Sequence, residues 1–514
     1  MFAFLSRRIG ALVVILFGSS FILYNLAAIS GDPLEALRTS VEPNAKQQIV
    51  TLTRTLQLDV PPPLRYFYWL RGILGGFAGH INFGMSRNGH SVTELIAGAI
   101  PVTIRLVTAA TIIACILGIT IGIVTALRQY SRFDYAMTFV SFLLFSLPVF
   151  WVAVLLKQYL AIRFNTFLSS PTVPPASIAF FAVAGGVFWS AVISGSRKRV
   201  LTIFGITAGV TALLLEGLSL LKWFSHPGFG PIVLGLLGVG VACGVTQLST
   251  GLDNKVALRA SLTVIALGVA GYYPANYAMR HYAHTSTILL LALFTIAISL
   301  LTGLIFAKID RGAIMRTTTI TGLIFGLLTL LDKLMQTWAP YMATDAINRR
   351  PVPTIGQNNS QVDPTNYWFM TLDTLMHLIL PTLALLLISF AGYIRFTRGT
   401  LLEVLNSDYI RTARAKGLNE RTVIMRHAFR NTLIPLSTII VADFMGIIGG
   451  AIITESVFGW VGMGTLFRQG LLGFDLNLLM AVFFITASLA VLANLVSDLL
   501  YSALDPRIRV GAGK

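Results

Sequence analysis

"DYIRTARAKGLNERTVIMRHAFRNTLIP", residues 408–435, is a basic, strongly helix-forming stretch with a single glycine in its middle, set between two long runs of almost purely apolar sequence. Apolar runs of about 20 residues match a hydrocarbon core of about 30 Å. The stretch and its flanks carry Arg395, Arg398, Arg411, Arg414, Lys416, Arg421, Arg426 and Arg430 against fewer acids, and such an excess of Lys and Arg marks the cytoplasmic side of a membrane. It therefore reads as a cytoplasmic loop. Leu405, Tyr409 and Ala413 recur at a spacing of four, which places them on one helix face. Gly417 can take the left-handed conformation that ends a helix, and Asn419 is a good N-cap for a second helix with Glu420 in its first turn. The pattern predicts helix, bend, helix: a compact knob held by two spans and able to push on both. An amphipathic loop lying on anionic lipid is the alternative.

Composition points the same way. Of 514 residues, 55% are hydrophobic and 11% charged, well below the roughly 25% charge of a soluble domain, so the chain is an all-α polytopic membrane protein. The net charge of +17 sits in short clusters between apolar runs, which argues for cytoplasmic loops and against a nucleic-acid partner. Cys115 and Cys243 lie inside apolar runs with no metal or disulfide spacing. The seven histidines are scattered, among them His377 at the start of a span and His427 in the knob, and no metal set can be drawn from them. No G-x-x-x-x-G-K-[ST], H-E-x-x-H or supported carboxylate pair occurs, so the chain is not read as an enzyme and binds no cofactor of its own.

Arg7 and Arg8 precede an apolar run from Ile9 to Ile29, too long for the usual signal peptide and read as an uncleaved first span. A polar region with "GDP" (31–33) and "PPP" (61–63) follows as an external loop region. Spans are expected at about 102–127 and 135–162, the latter containing Pro148, then at 375–394, 433–453 and 476–500.

At both ends the residues resemble a known family. "YIRTARAKGL" followed by "RHAFRNTLIP" resembles the cytoplasmic signature loop of ABC-importer permeases of the dipeptide, oligopeptide and nickel group. "FLSRRIGALVVILFGSSFILYNLAAISGDP", "FGMSRNGHSVTELI" and "LPVFWVAVLL" resemble the N-terminal half of the dipeptide-permease B-type subunit, and "HLILPTLALLLISFAGYIRFTRGTLLEVL" through "LLYSALDPRIR" the C-terminal half. The resemblance implies a permease core split into residues 1–164, with three spans and the external loop region, and 368–514, with a coupling loop at 396–432 that docks on a separate ATPase. It implies roles in coupling for Arg411, Ala413, Lys416, Gly417, Asn419, Arg421, Arg426, His427, Asn431 and Pro435. It also implies a second homologous permease subunit, two ATPase subunits or domains that bind the ATP and Mg, and an external substrate-binding protein. The setting would be the bacterial cytoplasmic membrane, with lipid around the chain and both termini cytoplasmic. The cargo would be di- or oligopeptides, with nickel or glutathione as alternatives within the family. Arg411-Thr412-Ala413 stands where the wider superfamily has Glu-Ala-Ala, and Val461 replaces a proline in "GWVGMG". Asp443 stands inside a span where relatives often carry an amide. It and Glu455 are candidate pathway residues, and Asp443 could equally be structural glue between helices. An ion-gradient carrier using Asp443, Asp498, Glu216 and Asp332 is the rival mechanism, although no internal repeat supports it.

Residues 165–367 have no counterpart in such permeases. Apolar runs near 178–194, 201–221, 232–248, 260–277, 288–306 and 318–338 predict about six inserted spans, hence about twelve in all. An even number keeps the knob cytoplasmic, and Arg197–Arg199, Lys255 with Arg259, and Lys308 with Arg311 fall in alternate loops as that topology requires.

Overall fold

This computed structural model describes residues 2–193, 195–307 and 310–504. Lys308 and residues 505–514, used above, lie outside the described residues, as do the side chains of Arg421 and Asp498. Among the described residues the regular elements are helices.

Helix α1 (Phe2–Ser30) is the first long apolar helix. The polar region after it folds into α2 (Glu35–Arg38), α3 (Ala45–Thr55) and α4 (Pro62–Leu74). The aromatic rings of Tyr66 and Trp69 on α4 pack with Tyr24 of α1 in a buried cluster that also takes in Met463 and Leu478 near the other end of the chain. Helix α5 (Val92–Leu127) starts ten residues before the expected span and carries Pro101 within it.

The expected single span over 135–162 is instead broken. Helix α6 (Arg132–Ser146) and the run of α7 (Val149–Leu156), a π turn (Lys157–Ile162) and α8 (Arg163–Ser169) meet at 102°. Pro148 has no N–H to continue the ladder, and the residue before a proline avoids helical geometry. Leu147 accordingly has φ −82° and ψ 129°.

The middle of the chain forms α9 (Pro175–Ile193), α10 (Arg197–Leu220), α11 (Gly230–Ser249), α12 (Lys255–Ala270) bent by 48° into α13 (Tyr272–His281), α14 (Thr285–Phe306) and α15 (Arg311–Met342). Counting the bent pair as one span, these match the six inserted runs read from sequence. Helices α9 and α10 pack as a hairpin, while α11, α12, α14 and α15 pack together around Leu234, Ala242, Ile265, Tyr272 and Phe325. Asp332 of α15 is fully buried there. It accepts from Tyr272 Oη at 2.7 Å, Gln336 Nε2 at 2.8 Å and the amides of Phe229 and Gly230 at 2.6 and 3.1 Å, so the carboxylate is satisfied as burial demands.

The C-terminal part comprises α16 (Tyr367–Leu405), α17 (Asp408–Ala415), α18 (Glu420–Thr422), a π turn (Val423–Ala428), α19 (Phe429–Gly450), α20 (Ile452–Phe458), α21 (Met463–Leu472) and α22 (Leu476–Leu504). The N-terminal and C-terminal parts meet along α5 and α16. A Cβ on Gly118 would lie 2.6 Å from Tyr393 Cβ, and one on Gly122 2.7 Å from Thr397 Cβ. These two glycines, four apart, let the helix backbones approach as small-xxx-small pairs do in membranes. Nine helices among the described residues are long and apolar enough to cross a membrane, or up to eleven with each bent pair as one span. Helix α19, with 22 residues, has the length to be a further one.

If the charge pattern sets the orientation, Ser196 and His226, at opposite ends of α10, face opposite compartments. Cysteines placed singly at these positions, with Cys115 and Cys243 replaced, are expected to react with an impermeant thiol reagent from the inside and the outside respectively. Labelling of both from one side would refute this topology.

Candidate functional site

Helix α16 ends at Leu405 and α17 begins at Asp408, so the four-residue count through Leu405, Tyr409 and Ala413 crosses a break. At that break Ser407 is extended, with φ −72° and ψ 152°. The buried face of α17 is instead Ile410 and Ala413, which pack with Ala126, Leu401, Val423 and Ala428. Tyr409 is 43% exposed.

Gly417 has φ +75°, and a Cβ there would meet nothing within 4 Å. Backbone conformation, not crowding, therefore asks for glycine. Asn419 Oδ1 accepts from the Thr422 amide at 2.8 Å and so caps α18. Across the bend Arg414 Nη2 and Nε donate to Glu420 Oε1 and Oε2 at 2.7 and 3.2 Å. These bonds hold the Glu420 carboxyl below its ordinary value. Both partners are exposed, so the pair fixes the angle of the bend more than it stabilises the fold.

The second helix is not a separate one. α18 passes through the π turn into α19, so the knob is the lower end of a long helix with α17 laid against it. Asn431 Nδ2 donates to Tyr409 Oη at 2.8 Å and ties the two together. Pro435, within α19, offers no N–H to the Asn431 carbonyl. Arg411, Lys416 and Arg426 are exposed and His427 is half-buried. The exposed apolar side chains Leu418 and Met425 accompany these cations.

Sequence reasoning missed the anchor beneath the knob. Asp134, at the start of α6, is buried and accepts Arg398 Nε at 2.7 Å and Nη2 at 3.0 Å. It also accepts the Tyr130 amide at 3.0 Å, while its own amide donates to Ser131 Oγ at 3.2 Å. The signal was present: a serine three residues before an acid at a helix start is a capping pattern.

The two pathway candidates are both engaged. Asp443 of α19 accepts from Tyr393 Oη of α16 at 2.7 Å, a bond between neighbouring helices. Glu455 is fully buried and so lines no open passage in this structure. It accepts from Thr103 Oγ1 at 2.7 Å and the Thr465 amide at 2.8 Å, while Thr103 Oγ1 itself accepts from the Met463 amide at 2.8 Å. A Cβ on Gly462 would fall 2.4 Å from Glu455 Oε1, so the "GWVGMG" turn is wrapped on this carboxyl group.

Residues 323–510 match the family described as "Binding-protein-dependent transport system inner membrane component". This stretch of the chain is similar to that family. The match begins within α15, ahead of the boundary at 368 read from sequence. An oligopeptide transport system permease protein of Mycobacterium tuberculosis (strain H37Rv) is 43% identical over 143 residues, 28% of this chain and 44% of that protein. An oligopeptide transport system permease protein of Bacillus subtilis is 44% identical over 147 residues, 29% and 46% of the two chains. A dipeptide transport system permease protein of Escherichia coli K12 is 42% identical over 138 residues, 27% and 41%. The chain thus spans somewhat less than half the length of these relatives.

Glu455→Ala would leave the Thr103 hydroxyl and the Thr465 amide without their acceptor, at about 1–3 kcal/mol for each orphaned group. The variant is expected to show a lower thermal midpoint in detergent, and Glu455→Gln a smaller loss. Unchanged stability of Glu455→Ala would remove the carboxyl from the role of structural hub.

Proposed function

We propose that this chain is the transmembrane subunit of an ATP-binding-cassette importer that moves di- or oligopeptides across the cytoplasmic membrane. The observation that carries the reading is the knob: Gly417 at positive φ, the Arg414–Glu420 clamp, and an apolar seat on α5 and α16. Such a piece, continuous with α19 and wedged under α16, passes an applied force to both helices. The exposed face, with Arg411, Lys416, Arg426, Leu418 and Met425, is where an ATPase partner docks. Ala413 seats the knob, and Gly417, Asn419 and Asn431 shape it. Arg421, His427 and Pro435 keep the coupling roles that the resemblance implies. ATP and Mg belong to that partner. A second permease subunit and an external binding protein complete the assembly, and both termini lie on the knob's side. The permease domain and the peptide-transport names of the relatives support the substrate class.

The ion-gradient reading has little left to use. Asp332 is saturated by four donors, Asp443 is bonded to Tyr393, and Glu216 is exposed at the surface of α10. Uptake of a labelled peptide by cells making the complete transporter is expected to survive an uncoupler and to stop on ATP depletion. The reverse pattern would refute the proposal.

The bend itself is tested by exchange at Gly417. Valine at positive φ costs about 1–2 kcal/mol, roughly a 5- to 30-fold loss of the bent form, whereas asparagine tolerates that conformation. Uptake by Gly417→Val is expected to fall by about that factor with membrane insertion intact, and Gly417→Asn to retain most of it. Equal uptake by the two variants would show that the bend does not carry coupling.

A further inference from the structure

Within the inserted helices, α12, α13, α14 and α15 enclose a cavity of about 440 Å³, in the range that holds a lipid- or drug-sized ligand. Its wall is mostly apolar, with Leu267, Met279, Leu291, Phe294 and Leu330 among its residues. Two small residues facing it, Ala292 and Gly326, keep it open; a Cβ on Gly326 would meet nothing closer than 3.9 Å. One polar group in the wall is unspent. Ser299 is fully buried and its hydroxyl has no hydrogen-bond partner, although a buried polar atom normally has one.

The end of the cavity at Met279 lies beside two cations. Trp368 Nε1 donates to the Met279 carbonyl at 2.7 Å, and Lys333 Nζ stands 5.7 Å from the centre of the Trp368 ring. Arg280 follows Met279 in the chain, and neither it nor Lys333 forms a salt bridge among the described residues. The nearby Asp332 is already saturated by Tyr272, Gln336 and two amides.

We propose that the inserted bundle binds an anionic phospholipid, one acyl chain in the cavity between α12, α14 and α15 and the phosphate at Arg280 and Lys333. Three features select this occupant. The wall is apolar and lies among helices that cross the bilayer, so a hydrocarbon chain reaches it without entering water. The cations stand at one end of the cavity, where the headgroup of a lipid aligned with the helices would lie. The buried indole of Trp368, bonded to the Met279 carbonyl and facing Lys333, holds that cation at this end of the cavity. A water-soluble peptide would leave its backbone groups unpaired against such a wall.

The test is photo-labelling of the purified full-length chain in nanodiscs, with phosphatidylglycerol or phosphatidylcholine bearing a diazirine in one acyl chain, read by peptide mass spectrometry. Phosphatidylglycerol is expected to label α12, α14 and α15 about fivefold above the lipid-facing α10. Ala292→Phe, which fills the cavity, is expected to abolish that excess with labelling of α10 unchanged. Arg280→Gln with Lys333→Gln is expected to reduce the phosphatidylglycerol excess to the phosphatidylcholine level. Labelling of the cavity helices no greater than that of α10, or an equal excess with phosphatidylcholine in the unmodified chain, would overturn the proposal.

Discussion

The close crossing of α5 and α16 is the constraint on which the rest of the structure depends. Where Gly118 and Gly122 face Tyr393 and Thr397, any larger residue would force the helices apart. In lipid, where apolar surface alone gives two helices no reason to associate, such packing supplies the attraction. The same segment of α16 carries Tyr393, bonded to Asp443 of α19, and Arg398, bonded to Asp134 of α6. One tight contact therefore sets the position of four helices. It also joins parts of the chain that more than two hundred residues separate.

That separation explains why so many residues can stand between the two parts. The ends of the middle segment are held by contacts that do not involve its interior: Asn165 Nδ2 donates to the Val352 carbonyl at 2.8 Å, and the Val352 amide returns a bond of 3.1 Å to Asn165 Oδ1. Closing a loop grows costly only slowly with its length, and each added helix satisfies its own backbone in the bilayer. Six further spans thus change little at the α5–α16 crossing.

Features that depend on neighbouring residues were legible in the sequence. The helices of the middle segment followed from apolar length, the bend at Gly417 from the conformational freedom of glycine, and the cap at Asn419 from its side-chain acceptor. Features that depend on distant partners were not. Asp443, read as a pathway residue or as glue, meets Tyr393 from 50 positions away, and Glu455, read as a pathway residue, meets Thr103 from 352 positions away. Leu405 and Ala413 do pack in one cluster, but Tyr409 falls outside it because periodicity does not reveal a two-residue break. Pro148 was read as lying within one span, and only the packed structure shows the chain turning through 102° there.

The π turn over 423–428 gives α19 a property that a plain α-helix lacks. A π turn holds one residue more than the ladder around it needs, and that surplus can sit at more than one place along a helix. Residues between its old and new positions rotate by about 100° and advance by about 1.5 Å, while the remainder keeps its register. Such a shift would change which side chains the lower part of α19 presents to its neighbours.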